Sequence, residues 1–145
     1  MDNTSLKSNI LVTGGTSRFC KYLKKELKNF RAIFPTKKKF DITNFIKMKK
    51  FFKNKKIDVI IHIAALSRPM DIHDKNPEKS IDINIIGTSN IAKIASLFNI
   101  KLIFFSSQYV YPGKKGNYKE DDAVLPWNNY AWSKLGGECA VQMYK

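Results

Sequence analysis

The chain has little cysteine, little arginine and no long apolar run, and each scarcity excludes something. Cys20 and Cys139 are its only cysteines, far apart and in no Cys-x-x-Cys pair. That argues against a disulfide scaffold or thiolate metal site and for a reduced, cytoplasmic protein. His62 and His73, the two histidines, have no ligand-like spacing with them, so no metal is expected. No apolar stretch approaches the roughly 20 residues that span a bilayer. Met1 to Asn9 is polar and lacks the apolar core of a signal peptide, so no membrane partner is expected. Of 26 basic residues only Arg18, Arg31 and Arg68 are arginine, the side chain best suited to bidentate phosphate and base contacts. The lysines are spread over several segments with no DNA- or RNA-reading motif beside them. The formal charge of +14 therefore reads as a lysine-biased, solvated surface rather than a nucleic-acid site.

What is present is a globular pattern. At 145 residues and 43% hydrophobic, the chain fits one domain spanning its whole length, without internal repeat or linker. Short apolar runs alternate with helical patterns. Ile10–Thr13, Arg31–Phe34, Asp58–Ile63 and Lys101–Phe105 read as strands. Phe19–Asn29, Phe45–Asn54, Pro77–Phe98 and the segment around Tyr130 read as helices, and 64–76 as loop. In the long third helix, Ile81, Ile85, Thr88, Ile91, Ala92 and Ala95 are expected to line one side. Strand–helix alternation of this kind is the pattern of an α/β fold, a Rossmann-like doubly wound parallel sheet. Ligands of such sheets bind beyond the carboxyl ends of the strands. The notable polar groups stand there: Thr13-Gly14-Gly15, Ala64-Ala65 and Ser106-Ser107.

The turn after the first strand, Val12 to Cys20, is where glycines would let helix N–H groups approach a dinucleotide pyrophosphate. Ser17 and Cys20 occupy two positions where the spacing from Gly14 calls for glycine. Ser17 could still donate a hydrogen bond, and Cys20 is small enough to pack. The other reading is an ordinary strand–helix turn. Past the second strand, an acid would mark NAD by accepting the ribose hydroxyls. Lys37-Lys38-Lys39 stands there instead, which leans to NADP.

Tyr130 and Lys134 lie four apart at the opening of a helix, so phenol and ammonium share a face. A tyrosine titrates near 10 and needs a fixed positive charge to act as an acid–base group near neutrality. The motif is short, and a chance copy exists at Tyr111 and Lys115. There Pro112-Gly113 breaks any helix and predicts a turn.

Taken together, these residues resemble the extended short-chain dehydrogenase/reductase superfamily, and within it the dTDP-dehydrorhamnose reductase-like and NAD-dependent epimerase/dehydratase enzymes. The resemblance runs through Ile10–Gly15, Phe40–Thr43, Asp58–Ala65, Ile83–Thr88, Phe105–Tyr111, Tyr118–Asp122, Pro126–Tyr130 and Ser133–Glu138, in order and nearly end to end. It implies an NAD(P)-dependent oxidoreductase, a reductase or epimerase acting on a nucleotide-linked sugar. Gly14, Thr16, Arg18 and Phe19 would then follow the pyrophosphate. Asp41 and Ile42 would hold the adenine, and Ala64 and Ala65 would pass beneath ribose and nicotinamide. Ser107 would hydrogen-bond the substrate oxygen, Tyr130 would exchange its proton, and Lys134 would hold the nicotinamide ribose and favour the phenolate. Bland roles compete: Asp41 as a helix-start residue, Asn84 and His62 as structure, Cys139 as packing. The resemblance also implies further sheet strands and a smaller carboxy-terminal domain that grips the sugar nucleotide. On that expectation this chain is the amino-terminal part alone, its sheet incomplete at the carboxy-terminal end. The alternative function is a non-catalytic NAD(P)-binding regulatory subunit or an inactive truncated relative. Homodimerisation through the helices at Glu78–Phe98 and Tyr130 is a further implication.

Overall fold

A computed structural model describes residues 8–145. Most of the polar opening segment, and residues 1–7 of the expected single domain, lie outside the described residues. Four parallel strands form one sheet in the order β2-β1-β3-β4. They are β1 (Asn9–Thr13), β2 (Arg31–Ile33), β3 (Val59–His62) and β4 (Lys101–Phe104). The register pairs Leu11 with Ile33 and with Ile60, and Ile60 with Leu102. The chain steps from β1 outward to β2 and then crosses back to β3 on the other side of β1. The connections therefore diverge between β1 and β3, which is where open α/β sheets form a ligand crevice.

The helices are α1 (Arg18–Glu26), α2 (Phe45–Lys53), α3 (Ile72–Lys75), α4 (Pro77–Ser80), α5 (Gly87–Leu97) and α6 (Asn129–Met143). Strand alternation sends side chains to two faces, and two cores result. Leu11 and Ile60 pack with Met48 and Phe52 of α2 and Ile91 and Ile94 of α5. Ile10 and Val12 point the other way and pack with Cys20 of α1. The doubly wound expectation is met. Asparagines set the starts of α2 and α6: Asn44 Oδ1 accepts from Lys47 N–H and Asn128 Oδ1 from Ala131 N–H. Each satisfies one of the orphan donors of a helix start.

Three local expectations are corrected. The segment 64–76 is not all loop, since α3 forms within it. The long third helix is interrupted by a π segment, Ile81–Ile86. Its wider i→i+5 turn shifts the inward face, so Asn84 is buried while Ile81 is 45% exposed. From Thr88 onward the expected stripe of Ile91, Ala92 and Ala95 is buried. Cys139, expected to be packed, is exposed on α6. Tyr111 and Lys115 lie in a non-helical turn, as the Pro-Gly break predicts.

Candidate cofactor and active site

The turn after β1 is tight for a covalent reason. Gly14 has φ +72°, and a Cβ on it would lie 2.9 Å from the Ala64 backbone nitrogen. Only glycine adopts that angle freely and leaves that space open. Ser17, one of the two non-glycine positions, caps α1: its Oγ accepts from Cys20 N–H at 3.3 Å. Cys20 is fully buried in the core under β1.

Below this turn a hydroxyl and an imidazole hold the floor. Thr13 Oγ1 accepts from Ile63 N–H at 3.1 Å and Ala64 N–H at 3.0 Å. Its two lone pairs are then used, so its own proton donates to His62 Nδ1, 2.7 Å away. His62 Nε2–H in turn donates to Thr88 Oγ1 at 3.0 Å. This network assigns the tautomer and requires a neutral ring. Burial and the neighbouring Lys134 charge push the His62 pKa down to about 3. His62 is thus a structural residue, and no local sequence pattern links it to Thr13 and Thr88.

Between the turn and the chain after β3 lies a cleft of about 730 Å³. All eight residues expected only to bind cofactor line it: Gly14, Thr16, Arg18, Phe19, Asp41, Ile42, Ala64 and Ala65. Lys37 lines it too, and Lys38 and Lys39 border an adjoining hollow with Lys47. Sequence reasoning missed Arg68, a further cation on the wall; its position just past β3 was the available signal. Asp41 does not cap α2. Its Oδ1 accepts from Thr43 N–H at 3.0 Å and Thr43 Oγ1–H at 2.8 Å. Burial works to raise its pKa, but these bonds and the Lys37 and Lys47 charges hold it below the usual value.

Ser107, Tyr130 and Lys134 do not line this cleft: Ser107 follows β4, and Tyr130 and Lys134 lie on α6. Lys134 is 3% exposed. Its Nζ donates to the Phe105 carbonyl at 2.6 Å and lies 4.3 Å from the centre of the Phe104 ring. Burial draws its pKa down to about 8, partly opposed by Glu138. Ser107 Oγ accepts from Tyr109 N–H at 3.3 Å. The Tyr109 ring stands edge-on to Tyr130, ring centres 6.1 Å apart.

Asn84 bolts the cleft to the Tyr130 helix. Its Oδ1 accepts from Leu66 N–H, and its Nδ2 donates to the Leu66 carbonyl and to Ser133 Oγ. Ser133 Oγ–H then donates to the Tyr130 carbonyl. The helices approach closely because Gly137 has no side chain: a Cβ there would lie 2.8 Å from the Asn84 carbonyl oxygen. Asn84 makes structural bonds, in keeping with its structural reading from the sequence. Among the described residues no three His, Cys, Asp or Glu cluster as metal ligands, and no helix is long and apolar enough to cross a membrane.

Fold and cleft together define a Rossmann-like α/β domain with its crevice at the divergence of β1 and β3. Residues 8–145 match the RmlD substrate binding domain family, and the chain belongs to that family. Methionine adenosyltransferase 2 subunit beta of Xenopus laevis is 33% identical over 97% of this chain and 44% of its own length. UDP-glucuronate 4-epimerase of Thermodesulfobacterium geofontis is 34% identical over 72% of this chain and 32% of its own length. Among solved structures, dTDP-4-dehydrorhamnose reductase of Bacillus anthracis in complex with NADP superimposes with TM-score 0.91 at 30% identity. The match covers 97% of this chain and 51% of that one. The chain thus spans about half the length of these relatives or less.

Proposed function

We propose that this chain binds a nicotinamide dinucleotide, NADP in preference to NAD. In this reading it carries the proton-transfer residues of a reductase or epimerase of nucleotide-linked sugars. The observation that carries it is the cleft at the β1–β3 divergence, whose wall includes the Gly14 turn, Ala64 and Ala65 together with the cations Arg18, Lys37 and Arg68. Open backbone at Gly14 suits a pyrophosphate, and small side chains at 64 and 65 leave room for a flat ring. Lys37 suits a 2′-phosphate. Asp41 holds Thr43 through Oδ1.

When bound, the cofactor supplies the hydride. The chain's own residues handle the proton. Ser107 would hydrogen-bond the substrate oxygen as charge develops on it. Tyr130 would give or take that oxygen's proton. Lys134 has three N–H donors and, among the described residues, one acceptor, the Phe105 carbonyl. The remaining donors suit ribose hydroxyls, and its charge favours the Tyr130 phenolate.

Titrating NADPH and NADH while following nicotinamide fluorescence tests the binding; no response at millimolar cofactor overturns it. Turnover of a dTDP-4-keto sugar, lost in Tyr130→Phe, tests the chemistry. A second reading, a non-catalytic subunit, is favoured by the likeness to methionine adenosyltransferase 2 subunit beta. It expects cofactor binding without turnover, and co-elution with a methionine adenosyltransferase.

A further inference from the structure

His73, on α3, is 1% exposed, and its Nε2 is a buried polar atom with no hydrogen-bond partner among the described residues. Such orphans are rare and call for a cause. On the other side of the ring, Nδ1 lies 2.7 Å from Ser80 Oγ, itself buried. Two proton arrangements are open. If Nδ1 carried the hydrogen, it would donate to Ser80. The Ser80 proton would then lack an acceptor, and the Nε2 lone pair would lack a donor. If Ser80 Oγ–H donates to Nδ1, a single group remains, an Nε2–H. Buried polar groups are costly unpaired, so the second arrangement prevails.

What faces this imidazole is Tyr130. The two ring centres are 5.1 Å apart, with planes inclined at 55°. An aromatic face carries negative charge density and accepts a weak hydrogen bond from an N–H. The position of α3 against α6 is also fixed from outside: Asn129 Nδ2–H donates to Asp74 Oδ1 at 2.9 Å. Burial holds His73 below its ordinary pKa against the opposing Asp74 charge, which keeps the ring neutral.

We propose that His73 is a positioning residue for Tyr130, held by Ser80 in the tautomer whose Nε2–H is directed at the phenol ring face. The proposal rests on the reading of Tyr130 as the proton-transfer group. Its consequence is electronic as well as steric. On losing its proton the phenol ring gains electron density, so a donor on its face favours the phenolate over the phenol. His73 thus adds a short-range, uncharged contribution beside the Lys134 charge.

Nitrogen-15 histidine NMR tests the geometry without any catalysis, and His62 and His73 are the only signals expected. The expected result is the Nε2–H form at His73, with its proton moved upfield by the Tyr130 ring. That displacement persists in Tyr130→Phe and disappears in Tyr130→Leu. An Nδ1–H tautomer, or a proton unmoved in Tyr130→Leu, overturns the proposal. For the kinetic consequence, His73→Phe keeps a ring but removes the donor. It is expected to lower kcat for sugar reduction by about two- to fivefold, the scale of a weak hydrogen bond. The KM for NADPH stays unchanged. A rise in the KM for NADPH with kcat unchanged would mark a merely structural residue and overturn it. Absence of turnover in the unsubstituted chain would count against the proposed activity, and the NMR result would still decide the geometry.

Discussion

Lys134 donates to the Phe105 carbonyl, 2.6 Å away, and so ties the Tyr130 helix to the chain leaving β4. An ammonium buried to 3% exposure, with one acceptor among the described residues, is held against its own preference for water. Its pKa near 8 is the measure of that.

The first prediction follows from this. The folded pKa is below that of the unfolded lysine, so the native state binds fewer protons between the two values. Stability from this group is fully present above about 10.5 and is lost as pH falls toward about 8. Lys134→Met removes the dependence. Between pH 7 and pH 10 the wild type is expected to gain about 2 kcal/mol relative to the variant in paired urea denaturations. A constant difference across that range would contradict the burial of a charged amine.

His62 makes the opposite end of the pH range visible. Its pKa is also lowered, to about 3 from 6.5, so its contribution is present above pH 6.5 and is lost as pH falls toward 3. From pH 7 to pH 5 the wild type is expected to lose about 2 kcal/mol through this residue. In His62→Asn that part of the acid slope disappears, although the variant is less stable throughout.

Gly14→Ala is expected to destabilise by about 1–3 kcal/mol, from a Cβ at positive φ and its collision with the Ala64 backbone. Denaturant midpoints measure this. NADPH affinity falls with it, because the displaced segment is the cleft wall.

Asn84→Leu leaves the Leu66 N–H and carbonyl without partners and frees Ser133. At about 1–3 kcal/mol for each stranded buried group, a loss of about 2–5 kcal/mol is expected. Amide hydrogen exchange at Leu66 should rise before that of β1 and β3, showing that the bolt opens locally.

Lys37→Glu separates the cofactors. NADPH affinity is expected to fall at least tenfold, through loss of one phosphate contact and gain of a like charge, with NADH nearly unchanged. Equal losses for both would remove Lys37 from the 2′-phosphate.

The sheet and its order of elements were legible from periodicity and from the rule that ligands bind beyond strand ends. The roles of most cleft residues, Arg18, Phe19, Asp41 and Ile42 among them, were instead implied by the family resemblance. Gly14, Ala64 and Ala65 stood at strand ends in the sequence. What was not legible depends on side-chain direction across elements distant in sequence. The Thr13–His62–Thr88 chain joins residues 49 and 26 positions apart, and nothing in a local pattern marks it. The π segment escaped because a 3.6-residue period was continued through Ile81, where one wider turn moves the inward face onto Asn84. Cys139 was assigned to packing from its residue type, and Met143, also exposed on α6, illustrates how weakly type constrains that helix.

The Thr13–His62 pair has one more consequence. Because Thr13 spends both lone pairs on the backbone of Ile63 and Ala64, the floor of the cleft is set by the protein itself before any visitor arrives. A dinucleotide entering there meets a rigid bed, with little loop ordering left to oppose association. Its arrival is then expected to be a single fast phase in stopped-flow, and departure, not a slow reshaping of the turn, governs how long it stays.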